Sequence, residues 1–188
     1  MKALKVLVEA DGGSRGNPGP AGYGSVVWTA DRSTVLAESK QAIGRATNNV
    51  AEYRGLIAGL AEAAKLNATE VAVSMDSKLV VEQMSGRWRV KHPDLAELNA
   101  KARDLASRFE RVSYSWVPRA ENSYADRLAN EAMDAAAAEE SAQKDNSATT
   151  AQPSEAPSPP GWTGARGTAT RLLLLRHGQT ELSVQRRY

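Results

Sequence analysis

The stretch LKVLVEADGGSRGNPGPAGYGSVVWTA, residues 4–30, decides the fold of this chain. LKVLVEA (4–10) reads as one strand and YGSVVWTA (23–30) as the next, while six of the chain's 14 glycines fall between positions 12 and 24 as turn residues. Asp31-Arg32-Ser33 makes a hairpin connection to TVLAESKQAI (34–43), so three consecutive strands should form an antiparallel meander.

Beyond that meander the period changes. NVAEYRGLIAGLAEAAKL (49–66) carries Leu56, Ile57, Leu60 and Ala64 at helical spacing, and EVAVSM (70–75) returns to strand chemistry. A helix from Ser77 to about Met84 follows, then PDLAELNAKARDLASRF (93–109) with Pro at a position that helices tolerate. VSYSWV (112–117) reads as a fifth strand and ENSYADRLANEAMDAAAA (121–138) as a last helix. The order β-β-β-α-β-α-α-β-α mixes a meander with strand–helix–strand units, so the sheet should be mixed.

Composition sets outer limits. The 188 residues are 41% hydrophobic and 24% charged, with no apolar run near the ~20 residues a membrane-spanning helix needs. With no cysteine, disulfides and thiolate chemistry are excluded, and a metal must be held by oxygen or by the two histidines. The N-terminus lacks a secretory h-region, which makes the cytoplasm the expected location. A net charge of +2 gives no broad attraction for a polyanion, so any such binding must use local patches.

Between Glu139 and Thr168 the chain has no Val, Ile, Leu, Phe, Met or Tyr, and holds four of the eight prolines. Such a stretch buries too little to offset its ordering entropy and reads as a linker, residues 139–168. It leaves residues 1–138 as a self-contained domain and 169–188 as a tail.

Four carboxylates invite a functional reading beside a structural one. Asp11 enters the Gly/Pro-rich turn stretch, where Asp is common for turn chemistry alone. Glu52 lies on the stripe of Leu56 and Leu60, either as a ligand or as a first-turn acid that escapes to solvent. Asp76 ends a strand just before a helix, where open α/β sheets build sites and where helix caps also fall. Asp126, at the edge of the Ala129/Met133 face, could equally be an ordinary first-turn acid.

Together with their surroundings these residues resemble type I ribonuclease H, an RNA–DNA hybrid endonuclease, across residues 1–138. Four ordered motifs carry the resemblance. They are DGGSRGNPGPAGYG after the first strand, TNNVAEYRGLIAGL opening the first helix, MDSKLVVEQM after the fourth strand, and VPRAENSYADRLANEA leading into the last helix. The resemblance implies an α/β ribonuclease H-like fold, a five-stranded mixed sheet flanked by helices, with Asp11, Glu52, Asp76 and Asp126 converging over its centre as catalytic and metal-holding residues. It implies cleavage of the RNA strand of an RNA–DNA hybrid. Two rivals stand beside that expectation: additional cleavage of double-stranded RNA, and a hybrid-binding module without catalysis.

Hard divalent ions prefer oxygen ligands, so the four acids are expected to hold two Mg²⁺, with Mn²⁺ able to substitute. By the family pattern Asp11 bridges the ions, Asp126 completes the site that activates water, and Glu52 with Asp76 holds the ion beside the leaving 3′-oxygen. Products should carry 5′-phosphate and 3′-hydroxyl ends. The pattern also places Asn17, Asn48 and Asn49 at minor-groove contacts, Gly12 where backbone must approach closely, and Thr47 near a DNA phosphate. Asn48 or Asn49 could also cap the following helix.

Three departures from the better-known bacterial pattern matter. VPRAENSYAD lacks the histidine that some relatives carry before the last acid, leaving Arg119 or Glu121 as substitutes. Lys78 stands where a glutamine is frequent. The long basic protrusion is reduced to SGRWRVKHPDL, where Arg87, Arg89 and Lys91 with Trp88 form either a small phosphate-tracking patch or a solvated charged loop. His92 is assigned no role.

The tail ATRLLLLRHGQTE (169–181) resembles the first strand and Arg176-His177-Gly178 signature of the histidine phosphatases. No histidine follows His177, so the expectation is a vestigial site without phosphatase activity. The whole chain thus resembles an actinobacterial-type bifunctional ribonuclease H/acid phosphatase cut short in its second domain. No obligate protein partner is implied, and a monomer is expected unless the apolar 171–175 run self-associates.

Overall fold

A computed structural model describes residues 4–149, and the tail with Arg176 and His177 lies outside them, as does most of the linker stretch. Three strands come first: β1 (Lys5–Ser14), β2 (Gly19–Thr29) and β3 (Val35–Ala46). Helix α1 (Asn48–Lys65) leads to β4 (Glu70–Met75), α2 (Lys78–Met84), α3 (Pro93–Ala106) and β5 (Arg111–Trp116). A 3₁₀ turn at Arg119–Asn122 then enters α4 (Ser123–Thr149).

The strands form one sheet in the order β3-β2-β1-β4-β5. β1–β2 and β2–β3 pair antiparallel, while β1–β4 and β4–β5 pair parallel, so the sheet is mixed as the element order requires. Val8 and Ala10 of β1, Leu56 and Leu60 of α1, Val73 of β4 and Val80 of α2 belong to one buried cluster on one face. Because strand residues alternate, Gly22 and Gly24 of β2 face the other way, against α4. Among the described residues no helix is long and apolar enough to cross a membrane.

The glycine-rich stretch read as a turn is mostly strand. β1 continues to Ser14 and β2 starts at Gly19, with Gly12 opposite Tyr23 and Gly13 opposite Gly22. The reason is helix packing: a Cβ at Gly24 would lie 2.4 Å from Cβ of Leu128, and one at Gly22 would lie 2.7 Å from that of Ala132. Asp11 therefore projects from within a paired strand, opposite Gly24.

A second correction concerns α4, which runs to Thr149, eleven residues into the stretch read as linker from position 139. Glu139, Glu140, Ala142, Gln143 and Lys144 are strong helix formers, so the sequence carries the helix on past position 138.

Candidate active site

Each acid is delivered by a different element. Asp11 comes from β1, Asp76 from the residue after β4, and Glu52 from the fifth position of α1. One carboxylate oxygen from each of these three lies within 4.8 Å of the others. Glu52 is 5% exposed and Asp11 7%, so the first-turn, solvent-facing reading of Glu52 fails. The cap reading of Asp76 fails as well, because Ser77 is the N-cap of α2.

What brings Glu52 to Asp11 is a missing side chain. A Cβ at Gly12 would sit 2.1 Å from the carbonyl carbon of Ala51 and 2.2 Å from the Glu52 nitrogen. The α1 backbone thus fills the space a side chain at Gly12 would need, while Gly12 itself lines the acidic cleft. The Gly12 N–H also donates to Asp11 Oδ1 at 2.8 Å.

This grouping is costly in the absence of positive charge. Burial, with the neighbouring charge of Asp76 next, raises the Asp11 carboxyl to about 7. Burial first, then Asp11 and Asp76, raises Glu52 well above the carboxylate range. Glu52 Oε2 is buried with no hydrogen-bond partner, and an unpartnered buried oxygen among carboxylates suits a hard divalent cation.

Asp126 lies apart from this trio. It sits in the first turn of α4, where Arg119 pairs with Oδ1 and Asn130 Nδ2 donates to Oδ2 at 2.9 Å. Its charge still reaches Asp11 and helps to raise it. The guanidinium of Arg119 acts in the opposite direction on Asp11 and Glu52. Arg119, not Glu121, lines the acidic cleft, together with Asn48, Asn130 and Arg15.

Asn122 is a site residue that the sequence reading missed. It is fully buried, and its Nδ2 donates to Asp76 Oδ1 at 2.7 Å and to Ala10 O at 2.9 Å. One amide thus ties the Asp76 carboxylate to the β1 backbone next to Asp11. Trp116, although 51% exposed, donates from Nε1 to Asp76 O at 3.0 Å. In the sequence Asn122 lies inside the VPRAENSYADRLANEA motif, but no period or chemistry singles it out from the polar residues beside it.

The other substrate positions fall around the cleft. Thr47 is the α1 N-cap and its hydroxyl accepts from the Val50 N–H at 3.4 Å, so the cap is neither Asn48 nor Asn49. Asn17 Oδ1 accepts the Asn48 N–H at 3.1 Å, fixing the β1–β2 connection against the start of α1. Asn17, Thr47 and Asn49 share a hollow with His92. Lys78, Arg89 and Lys91 are exposed. Arg87 is held by Glu82 through two nitrogens, which neutralises part of the expected basic patch.

A family model described as reverse transcriptase-like matches residues 9–132. The chain is similar to the bifunctional protein Rv2228c of Mycobacterium tuberculosis, with 75% identity over 185 residues, 98% of this chain and 50% of that protein. It therefore spans about half the length of that relative. The solved N-terminal RNase H domain of Rv2228c, a fusion with maltose binding protein, is 78% identical with a TM-score of 0.72, covering 73% of this chain and 99% of that one. The chain belongs to the ribonuclease H family. Ribonuclease HI of Halobacterium salinarum is 48% identical over 124 residues, 66% of this chain and 62% of the relative. LC11-RNase H1, solved in complex with an RNA/DNA hybrid, is 42% identical with a TM-score of 0.66, covering 70% of this chain and 98% of that one.

This ribonuclease H domain should show an inverted pH response when metal-free. Asp11 has a higher pKa folded, about 7, than its ordinary value of 3.8, so the folded state holds more protons between those limits. Stability is then greatest on the acid side of that window and falls as pH rises towards 7. Thermal unfolding in chelator should give a higher Tm at pH 5 than at pH 7.5, with Mg²⁺ closing the gap. A Tm rising with pH in chelator would contradict the site electrostatics.

Proposed function

We propose that this chain hydrolyses the RNA strand of RNA–DNA hybrids in a reaction that depends on divalent metal. The observation that carries the reading is the trio of a buried Asp11, a buried Glu52 and a half-buried Asp76, with oxygens within 4.8 Å and one Glu52 oxygen lacking any protein partner. Asp11 would hold both of two ions, Glu52 and Asp76 the one beside the leaving 3′-oxygen, and Asp126 the one at the attacking water. Bound Mg²⁺, or Mn²⁺ in its place, supplies the positive charge that in-line phosphodiester displacement needs at the attacking and leaving oxygens.

The chain's own residues set the rest. Asn122 holds the Asp76 carboxylate in one orientation by a 2.7 Å bond, so that group arrives preorganised. Arg119 pairs with Asp126 and would neutralise that acid until the phosphodiester arrives, the part taken here for the loop's missing histidine. As an arginine it stays protonated and cannot relay a proton, so its task is electrostatic. Arg119→Ala should lower kcat on hybrid by about tenfold or more while Arg119→Lys retains part of it, measured in steady state. Asn48 at the cleft and Asn17 with Asn49 in the adjoining hollow offer amides for the 2′-hydroxyl side of a minor groove. The products expected are 5′-phosphate and 3′-hydroxyl ends.

The test is a matched panel of RNA–DNA hybrid, RNA duplex and DNA duplex of one sequence, each with Mg²⁺ and with chelator. RNA cuts in the hybrid alone support the reading. Cutting of RNA duplex at a similar rate widens the substrate class, and hybrid binding without cutting at any metal concentration overturns catalysis.

A further inference from the structure

Glu9 is a buried carboxylate on β1, two residues before Asp11, that the proposed reaction does not use. It is 3% exposed, and both of its oxygens are engaged: Oε1 with Arg32 Nε at 2.7 Å, and Oε2 with Trp28 Nε1 at 3.0 Å. A carboxylate this buried, with both oxygens bonded, is a fixed point for whatever it holds.

Arg32 does not end at Glu9. Its terminal nitrogen donates to the backbone carbonyl of Glu121 at 3.1 Å. Glu121 belongs to the 3₁₀ turn that also carries Arg119, the partner of Asp126, and Asn122, the partner of Asp76. One guanidinium therefore spans from the strand that bears Asp11 to the turn that orients two further acids.

The hairpin presenting Arg32 is itself held in shape. Asp31 accepts from the Thr29 hydroxyl at 2.6 Å, the Ser33 hydroxyl at 2.8 Å and the Ser33 N–H at 3.1 Å. Arg32 has φ +58°, the left-handed region that a non-glycine residue enters at some cost, and its N–H donates to Thr29 O at 2.8 Å. The guanidinium lies 5.7 Å from the Trp28 ring, which meets Tyr124 of α4 edge-on at 5.1 Å.

We propose that Arg32 is a positioning residue for the reaction, anchored on Glu9 and gripping the Glu121 carbonyl so that the Arg119–Asn122 turn holds Asp76 and Asp126 in register. The inference rests on the hybrid-nuclease reading for its kinetic consequence. Arg32 acts through the turn and touches no substrate, so its loss moves kcat and leaves KM in place. A planar fork is required because one group must bond in two directions. Lysine can pair with Glu9 but reaches the carbonyl poorly.

The experiment compares wild type, Arg32→Ala, Arg32→Lys and Glu9→Gln in the full chain, with Val71→Ala as a core variant remote from the turn. The readouts are kcat, KM for hybrid, and amide hydrogen exchange over residues 119–126 without substrate. Arg32→Ala should lower kcat about tenfold with KM within about twofold, and should speed exchange in the turn. Arg32→Lys, which keeps the ion pair and guards against a folding failure, should recover part of both. Glu9→Gln should resemble Arg32→Ala, and Val71→Ala should lose stability with kcat retained. Unchanged kcat and exchange in folded Arg32→Ala overturn the proposal, as does a rise in KM alone, which would make Arg32 a substrate contact. If wild type cuts no hybrid, the functional reading fails, while the exchange data still decide whether Arg32 holds the turn.

Discussion

Asp11→Asn is expected to lower hybrid cleavage by at least about a thousandfold and at the same time to stabilise the metal-free protein. The two effects share one cause. Asp11 lies buried within reach of Glu52 and Asp76, and at neutral pH its negative charge is opposed by burial and by Asp76. An amide keeps the shape and can still accept the Gly12 N–H, but removes the repulsion. The gain in chelator should be on the order of 1–3 kcal/mol at pH 7.5, read from denaturant unfolding. In saturating Mg²⁺ wild type recovers stability by binding, so the difference should shrink. An Asp11→Asn variant less stable than wild type in chelator would mean that the trio is not under electrostatic strain.

Gly12→Ala is expected to be the most damaging single-methyl change near the site. The added carbon would lie 2.1 Å from a backbone carbon of Ala51, and no rotamer change relieves a clash with main chain. Either α1 lifts from β1 or the strand end distorts, at a cost of at least about 3 kcal/mol. Because Glu52 rides on the displaced segment, activity should fall further than lost folding accounts for. Gly44→Ala makes the contrast: Gly44 has φ +70° but nothing within 4 Å, so only backbone strain of about 1–2 kcal/mol is expected, with hybrid cleavage unchanged. Equal losses in the two variants, measured as Tm and kcat, would refute the packing account.

Much of the architecture was legible because local patterns agree with it. LKVLVEA and YGSVVWTA read as strands because they are short apolar runs bounded by turn residues, which suits central strands covered on both faces, and the 3.6-residue stripe through Leu56 and Leu60 marks the face of α1 that the core takes up. Glu52 stood out because a carboxylate on an apolar stripe contradicts its surroundings. Less legible were features set by distant segments. Glycines of β1 and β2 carry turn chemistry in isolation, and only the approach of α1 and α4 makes them strand residues. Asn122 acquires its role from Ala10 and Asp76, which lie 112 and 46 positions away in the chain. Arg87 looked free to meet phosphate until Glu82, five residues earlier, closed on it. Such pairings leave no periodic trace.

Cleavage of an end-labelled RNA strand within an RNA–DNA hybrid tests the central claim most directly. Wild type and Asp76→Asn would be run with Mg²⁺ and with chelator, and the RNA resolved on a gel. Wild type in Mg²⁺ should give internal cuts leaving 3′-hydroxyl ends, with none in chelator and none for Asp76→Asn. Cuts that persist in chelator, or survive Asp76→Asn at wild-type rate, would contradict a metal-dependent reaction centred on Asp11, Glu52 and Asp76.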